Sequence, residues 1–280
     1  MNALEIKNLS KSYADFRLEP LSFSLPGGCI MGIIGENGAG KSTTIRLILD
    51  LISRDGGSVE IFGKDNRKDT ELMKEDIGVV LDEVGISECL TPKNVGTVMK
   101  RIFKNWDKDA FYQYIQKFSL PRDKKFKDFS RGMKMKLGIA IALSHHAKLL
   151  ILDEATSGLD PIARDEITDL LNDFTRDESH SVLISSHILS DLEKNCDYIV
   201  FLHKGRLLLC DEKDRLKEAY SMVRLSASEF QRIPPSAVVG KRETAYGTEA
   251  VVRKSDLPHG IQSGLIDLEQ LFLFMTKEAV

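Results

Sequence analysis

Short apolar segments bounded by turn residues alternate along the chain with segments of helical periodicity. Each apolar segment is rich in β-branched residues and is too short to form a stable helix. Because almost every position in them is apolar, we interpret these segments as buried strands of a parallel sheet whose two faces are covered by helices. The pattern therefore predicts an α/β fold, with strands at residues 30–35, 77–82, 149–154, 181–186 and 198–203.

The remaining segments show different periodicities. Polar and apolar residues alternate along residues 3–10 and 17–28, which predicts an N-terminal antiparallel β-subdomain with one solvent-exposed face. Strand patterns disappear from about residue 87 to residue 147, which predicts an inserted helical subdomain. We therefore expect a main unit at residues 1–220 and a small C-terminal α+β appendage at residues 221–280, where Pro- and Gly-rich β-like runs precede an apolar helix.

The composition narrows the possible partners. The 280 residues include 39 Lys and Arg and 42 Asp and Glu, which gives a formal net charge of -3. Because charges of both signs are interspersed, there is no positive field of the kind that draws proteins onto DNA or RNA, and we expect no nucleic-acid partner. The four Cys are widely spaced, as in a reducing cytosol, and the apolar runs are shorter than the ~18 residues of a membrane span.

A glycine-rich motif, GENGAGKST, joins the first buried strand to a predicted helix. It matches the phosphate-binding pattern G-x-x-x-x-G-K-[ST] in the strand-to-helix context that the pattern requires, which argues against a chance glycine-rich turn. Glycines let backbone N–H groups face phosphate oxygens, while Lys41 reaches the β- and γ-phosphates and the Ser42 hydroxyl ligates Mg²⁺. The predicted nucleotide contacts of this phosphate loop are Gly35, Asn37, Gly38, Ala39, Gly40, Lys41, Ser42 and Thr43.

A later buried strand, LLILDE, delivers two acids to the edge of the sheet. Asp153 can hold Mg²⁺ through its water shell, and Glu154 can orient and deprotonate an attacking water. Two acids after a strand are common by chance, so their distance along the chain matters. The segment between Lys41 and Asp153 is long enough for an inserted subdomain, which simple nucleotide kinases rarely carry.

Residues 128–143, DFSRGMKMKLGIAIAL, open with a Ser-x-Gly turn and continue as a basic and then apolar helix. A Ser hydroxyl, a backbone N–H that no side chain shields, and a helix N-terminus together bind an anion. Ser130 and Gly132 supply the first two of these groups. The sequence therefore predicts a second phosphate contact, far along the chain from the phosphate loop.

The ordered set of motifs resembles the ATP-binding cassette (ABC) ATPases over residues 1–215. The set comprises the phosphate loop, the two acids, the Ser-x-Gly turn, the sequence SGLD at residues 157–160, and His187 at the end of the next strand. The resemblance implies a P-loop NTPase core of the RecA-like type, with ATP and Mg²⁺ as cofactors. It also implies that Tyr13 stacks on adenine and that His187 contacts the γ-phosphate.

The resemblance further implies a site shared between subunits. In this family the signature turn of one subunit faces the ATP held by another, so Ser130 and Gly132 contact the nucleotide of a second copy or a homologue in a head-to-tail dimer. Asp160 ends the D-loop and belongs to the implied nucleotide contacts, as does Asp153. The implied catalytic residues are Glu154 and His187, and the implied metal ligands are Ser42, Asp82 and Asp153.

Two positions depart from the family pattern. The signature usually reads Leu-Ser-Gly-Gly-Gln, whereas this chain has Phe129, Arg131 and Met133 around the Ser and Gly. Arg131 could add charge toward the γ-phosphate, but we expect its side chain to point to solvent. Asp82 stands where the family has Gln in the Q-loop. An acid there repels the γ-phosphate unless it ligates Mg²⁺ directly, so we expect weaker ATP affinity without the metal.

The resemblance implies the ATP-hydrolysing subunit of a membrane transporter whose spanning domains form a separate permease. Similarity to the peptide and antibiotic branch of bacterial exporters implies efflux of peptides, antimicrobials or lipid-like molecules. A soluble cassette acting on ribosomes or DNA is the alternative, but a single cassette without heptad repeats favours the transporter, and a nucleotide kinase does not explain the signature turn. We expect the permease to dock near residues 82–88 and to hold the chain at the cytoplasmic face of the cell membrane.

Overall fold

The computed structural model describes residues 1–68 and 74–278. Its N-terminal sheet is antiparallel and has the order β2-β1-β4-β5, with β1 (Asn2–Ser12), β2 (Arg17–Pro26), β4 (Gly56–Ile61) and β5 (Lys64–Asp65). Along β1, Leu4, Ile6 and Leu9 are buried whereas Lys7 is exposed. The alternation of buried and exposed positions in this sheet agrees with the sequence pattern, and β4 is a strand that the pattern did not reveal.

The main sheet has six strands, which are β3 (Ile30–Ile34), β6 (Ile77–Val80), β7 (Leu149–Asp153), β8 (Ser181–Ser186), β9 (Tyr198–His203) and β10 (Arg206–Glu212). Their order across the sheet is β10-β9-β3-β8-β7-β6. The strands from β9 to β6 are parallel, and β10 pairs with β9 in the antiparallel sense. All of the strands predicted from apolar segments are therefore present, and β10 is an additional edge strand.

The two faces of the main sheet are covered differently. On one face, Leu149, Ile151 and Leu183 pack against the N-terminal sheet and against α1 (Lys41–Ile48). On the other face, Leu150 and Leu152 pack against helices. The expectation that helices alone cover both faces is therefore wrong, because the N-terminal sheet shares one face with α1.

The apolar sequence of β6 predicted a strand that is buried along its whole length, but the structure shows one that is only partly buried. It stands at the edge of the main sheet, and the Val79 side chain is 38% exposed. The strand also ends at Val80, so Asp82 lies just beyond its carboxyl end. An edge position depends on pairing between distant strands, and the apolar pattern along one segment does not report it.

Residues 87–147, all of which the structure describes, contain no strand. They form α2 (Pro92–Ile102), α3 (Lys108–Lys117) and α4 (Arg131–Leu143). Each of these helices begins after a capping residue, Thr91, Asp107 or Ser130, whose side chain accepts a hydrogen bond from a first-turn N–H. Leu137 and Ile139 of α4 then join the core beneath the main sheet.

The helices α5 (Pro161–Phe174) and α6 (Leu189–Asn195) follow β7 and β8 along the chain. Beyond β10, the chain forms α7 (Lys213–Ala219), β11 (Tyr220–Leu225), α8 (Ala227–Phe230), β12 (Val238–Thr244), β13 (Gly247–Arg253) and α9 (Leu268–Glu278). The three strands form a separate antiparallel sheet in the order β11-β13-β12. Phe272 of α9 meets Phe201 of β9 with ring centroids 5.2 Å apart, so the C-terminal helix is packed against the main sheet.

None of the helices within residues 1–68 and 74–278 has both the length and the hydropathy that a membrane span requires.

Candidate functional site

A cavity of about 800 Å³ opens beside the carboxyl ends of β3 and β7. Ligands of open α/β sheets bind at this edge, where the loops that follow the parallel strands converge. The structure brings predicted residues together here from well separated parts of the chain. Those on the cavity wall are Tyr13, Asn37, Gly38, Gly40, Lys41, Ser42, Thr43, Asp82, Glu154 and His187.

The phosphate loop turns from β3 into α1 at one end of this cavity. Its last glycine, Gly40, has a φ of 110°, which residues with a side chain rarely adopt, and it caps α1. The first turn of α1 contains no acidic side chain, so the positive end of the helix dipole is not neutralised there. The loop therefore offers an anion backbone N–H groups and a favourable potential.

Lys41 is held in place by contacts within its own chain. Its side chain is only 5% exposed, and its Nζ donates to the carbonyl oxygens of Gly35, at 2.8 Å, and Glu36, at 3.3 Å. The same Nζ lies 3.0 Å from Oε1 of Glu154. These contacts fix the ammonium at the phosphate end of the cavity.

Glu154 links Lys41 to His187. Its Oε2 lies 2.7 Å from Nδ1 of His187, and its backbone N–H donates to Oγ of Ser185 at 3.0 Å. The backbone of Glu154 has a φ of 53°, in the left-handed region that residues with a side chain seldom adopt and that clusters at functional sites. A carboxylate held in this way beside an ammonium can accept a proton from a water molecule in the cavity.

Asp153 lies beneath the cavity wall and is almost fully buried. Its Oδ1 accepts a hydrogen bond from Oγ of Ser185 at 2.6 Å. The part of the chain that the structure describes contains no cluster of three or more His, Cys, Asp or Glu arranged to hold a metal ion. Mg²⁺ is usually bound through only one or two carboxylates together with nucleotide phosphates, and Asp82 and Asp153 offer such carboxylates. Ser42, Asp82 and Asp153 are the residues that could hold it.

An aromatic pair, Tyr13 and Phe16, borders the cavity at the β1–β2 turn. Tyr13 is half exposed, and Lys11 Nζ lies 5.6 Å from its ring centroid. The backbone N–H of Tyr13 donates to the carbonyl of Phe16 at 2.7 Å, so one tight turn presents both rings to the cavity. An exposed aromatic ring at this position can stack on a planar base.

Several predicted residues do not reach this cavity. Gly35, Ala39 and Asp153 lie behind its wall, whereas Ser130, Gly132 and Asp160 lie outside it. Ser130 Oγ accepts from the Met133 N–H at 3.2 Å and caps α4. Oδ1 of Asp160 accepts from the Ala163 N–H at 2.9 Å and caps α5, and this hydrogen bond lowers the pKa of the Asp160 carboxyl. Ser130 and Gly132 themselves therefore do not line the cavity beside the phosphate loop of their own chain, although Arg131 between them does.

The Arg131 side chain is half exposed, as the sequence led us to expect, but it also has a partner in the cavity. Its Nη2 lies 2.5 Å from Oδ1 of Asp82, and both side chains line the cavity. The physical reason is the carboxylate, since the acid at position 82 gives the guanidinium a partner across the cleft.

Sequence reasoning did not assign nucleotide contacts to the other cavity residues, namely Asp15, Phe16, Glu36, Arg131 and Ser157. Glu36, Arg131 and Ser157 lie within motifs that were already identified, and Phe16 follows Tyr13 in the same short turn. Motif membership was therefore an available signal for three of them. Asp15 is marked by no pattern.

Comparison with known proteins agrees with this geometry. The model of the family described as ABC transporter matches residues 18–157. The bacitracin transport ATP-binding protein BcrA of Bacillus licheniformis is 36% identical over 218 residues, which cover 77% of this chain and 71% of that protein. The lantibiotic transport ATP-binding protein SrtF of Streptococcus pyogenes is 37% identical over 215 residues, covering 75% and 91%.

A solved structure of the ATP-binding subunit of an ABC transporter is 28% identical, with a TM-score of 0.70, and covers 77% of this chain and 92% of that one. The fold, the family resemblance and the ATPase activity expected from the sequence are thereby confirmed. The chain belongs to the ABC transporter family, as an ATP-binding subunit with the ATPase cassette.

Proposed function

We propose that the chain hydrolyses ATP to drive export through a separate membrane permease, to which it is bound at the cytoplasmic face of the cell membrane. The observation that carries this proposal is the series of Lys41, Glu154 and His187 in one cavity, which are joined by an ion pair and a hydrogen bond. The names of the bacitracin and lantibiotic relatives support peptides or related antimicrobials as the cargo, with lipid-like molecules as a further class.

The cavity residues divide the work of hydrolysis. Lys41 and the N-terminus of α1 bind the β- and γ-phosphates, and Tyr13 stacks on the base. Glu154 accepts the proton of the attacking water, while His187 orients Glu154 and contacts the γ-phosphate. Ser42, Asp82 and Asp153 would hold Mg²⁺, which would neutralise charge on the phosphates.

The position of the signature turn supports a head-to-tail dimer. Ser130 and Gly132 lie outside the cavity of their own chain, at the start of a helix whose first turn contains no acidic side chain. The N-terminus of such a helix attracts an anion. We propose that this anion is the ATP held by a second copy or a homologue, with Asp160 at the same interface.

An apolar groove along the edge strand β6 supports a permease partner. It has a volume of about 650 Å³, and its wall includes Leu51, Val79 and Ile102, which are 58%, 38% and 59% exposed. A groove of this kind binds the apolar face of an amphipathic helix. We propose that a cytoplasmic helix of the permease binds in this docking groove, immediately before residues 82–88 in the sequence.

Capture from detergent-solubilised membranes tests this proposal. The tagged chain should recover a polytopic membrane protein, and the variant Val79→Asp with Ile102→Asp should lose it, because two buried charges are costly at an apolar interface. Leu265→Asp is the matched control, since Leu265 is 91% exposed and lies outside the groove. Recovery of ribosomes or DNA, or equal recovery by the groove variant, would contradict the transporter function or this docking site, respectively.

A further inference from the structure

Two charged residues outside the phosphate loop meet across the nucleotide cavity. Arg131 Nη2 lies 2.5 Å from Asp82 Oδ1. Asp82 follows β6 of the main sheet, whereas Arg131 is the first residue of α4. The ion pair therefore ties the helical segment to the sheet at the place where phosphates are expected to bind.

This pair is exposed, unlike the other pair in the cavity. The side chains of Arg131 and Asp82 are 50% and 52% exposed, whereas those of Lys41 and Glu154 are 5% and 13% exposed. An exposed ion pair changes an equilibrium by no more than about fivefold. Asp82 can therefore exchange Arg131 for another partner at little cost, which suits a switch better than a structural tie.

Asp82 gains a second possible partner when a nucleotide binds. It lines the same cavity as Lys41 and Ser42, and carboxylate oxygens are preferred ligands of Mg²⁺. A divalent cation bound at the Asp82 carboxylate would repel the Arg131 guanidinium, which lies 2.5 Å from Oδ1 of the same group. Arg131 and a nucleotide-borne metal therefore compete for Asp82.

Arg131 also lies next to the residues that we propose contact a second cassette, so its release from Asp82 would affect that surface. Its side chain covers Gly158, at which a Cβ atom would lie 3.3 Å from Arg131 Cδ. It is flanked in the sequence by Ser130 and Gly132, which we propose face the nucleotide of a second cassette. A guanidinium freed from Asp82 is therefore already at the surface that the second nucleotide approaches.

Resting on the proposed ATPase function, we infer that Asp82 exchanges Arg131 for the nucleotide-borne metal. Without the metal, Arg131 neutralises Asp82 and limits its repulsion of the phosphates. With the metal, Asp82 releases Arg131 toward the second cassette. The acid at position 82 and the base at position 131 thus form one compensating feature rather than two unrelated departures from the family pattern.

Equilibrium binding of a non-hydrolysable ATP analogue, measured by calorimetry with Mg²⁺ and with EDTA, tests the exchange. Arg131→Gln should raise the affinity about two- to fivefold with Mg²⁺, because Asp82 is then free for the metal. In EDTA the same variant should lower the affinity by a similar factor, because the unpaired carboxylate repels the phosphates. Asp82→Asn should have the opposite effects, with a lower affinity in Mg²⁺ and a higher affinity in EDTA. The double variant, Asp82→Asn with Arg131→Gln, should bind the analogue in EDTA about as tightly as the wild type does.

Lys136→Gln is the matched control. Lys136 lies on the same helix, and its Nζ is 2.5 Å from Oε2 of Glu166, but neither residue lines the cavity. The affinity of Lys136→Gln for the ATP analogue should stay at the wild-type value both with Mg²⁺ and with EDTA. If Arg131→Gln changes affinity in the same direction with and without Mg²⁺, or leaves it unchanged, the exchange is refuted. If the wild type binds the analogue in neither condition, the proposed ATPase function fails instead.

Discussion

The nucleotide cavity and the docking groove are of similar size, but the side chains that line them differ in polarity. The cavity is lined by charged side chains around Lys41, whereas the groove exposes apolar side chains such as Leu51 and Ile102. The two depressions are linked by one segment, because Val79 of β6 lines the groove and Asp82, just beyond β6, lines the cavity. A helix bound in the groove would therefore contact the strand that leads directly to Asp82.

The largest expected effect is on the cavity side of this comparison. Lys41→Met should lower the affinity for the ATP analogue about 10²-fold, because hydrogen bonds to charged groups each contribute ~1.5–3 kcal/mol. Leu265→Asp, at a position that lines neither depression, should bind as the wild type does. Calorimetric titration of both variants provides the test. If Lys41→Met binds the analogue with an affinity within twofold of the wild type, the charged cavity is not the nucleotide site.

The smallest expected effect is on the groove side and depends on pH. His145 lines the groove, is buried, and stacks on Phe103 with ring centroids 4.0 Å apart. Burial lowers the pKa of His145 below its ordinary value of 6.5. The unfolded chain therefore binds a proton at a higher pH than the folded chain does, so the stability that the neutral ring contributes is lost as pH falls below 6.5.

The variant His145→Phe keeps a stacked ring and removes the titration. Urea unfolding from pH 7.5 to pH 5.5 should therefore show a smaller loss of unfolding free energy on acidification for His145→Phe than for the wild type. This difference is expected whatever the absolute stability of the variant. His259→Phe is the control, because His259 is exposed and its variant should keep the wild-type dependence. Identical pH dependences in the wild type and His145→Phe would show that His145 does not titrate differently on folding.

The sequence predicted the cavity side well because its signals are local. The phosphate loop requires a strand, a glycine-rich turn and a helix in immediate succession, and Glu154 and His187 each follow a buried strand. Parallel strands end at one edge of the sheet, so residues after their carboxyl ends converge without further information. Positions such as Lys41 could therefore be placed before the fold was known.

The features that the sequence did not predict depend on contacts between distant segments. Arg131 and Asp82 are 49 positions apart, and their ion pair forms only because α4 is packed against the sheet. The exposure of Val79 likewise depends on the position of β6 at the sheet edge, which its apolar neighbours conceal. The docking groove consists of such positions, and no motif marks it.

The central claim is that the signature turn acts on the ATP of a second cassette. Glu154→Gln removes the proton acceptor but keeps the nucleotide contacts, so it should accumulate an ATP-bound dimer that the wild type does not retain. Adding Ser130→Arg should abolish this dimer and leave ATP binding to the monomer nearly unchanged, because the new side chain fills the space of the partner's γ-phosphate.

The most direct measurement compares Glu154→Gln with the double variant that also carries Ser130→Arg. Light scattering and nucleotide binding are measured on the same samples. The account predicts a dimer with ATP for the first variant and an ATP-binding monomer for the second. A second variant that still dimerises with ATP, or one that no longer binds ATP as a monomer, would contradict the account and place the action of the signature turn within its own chain.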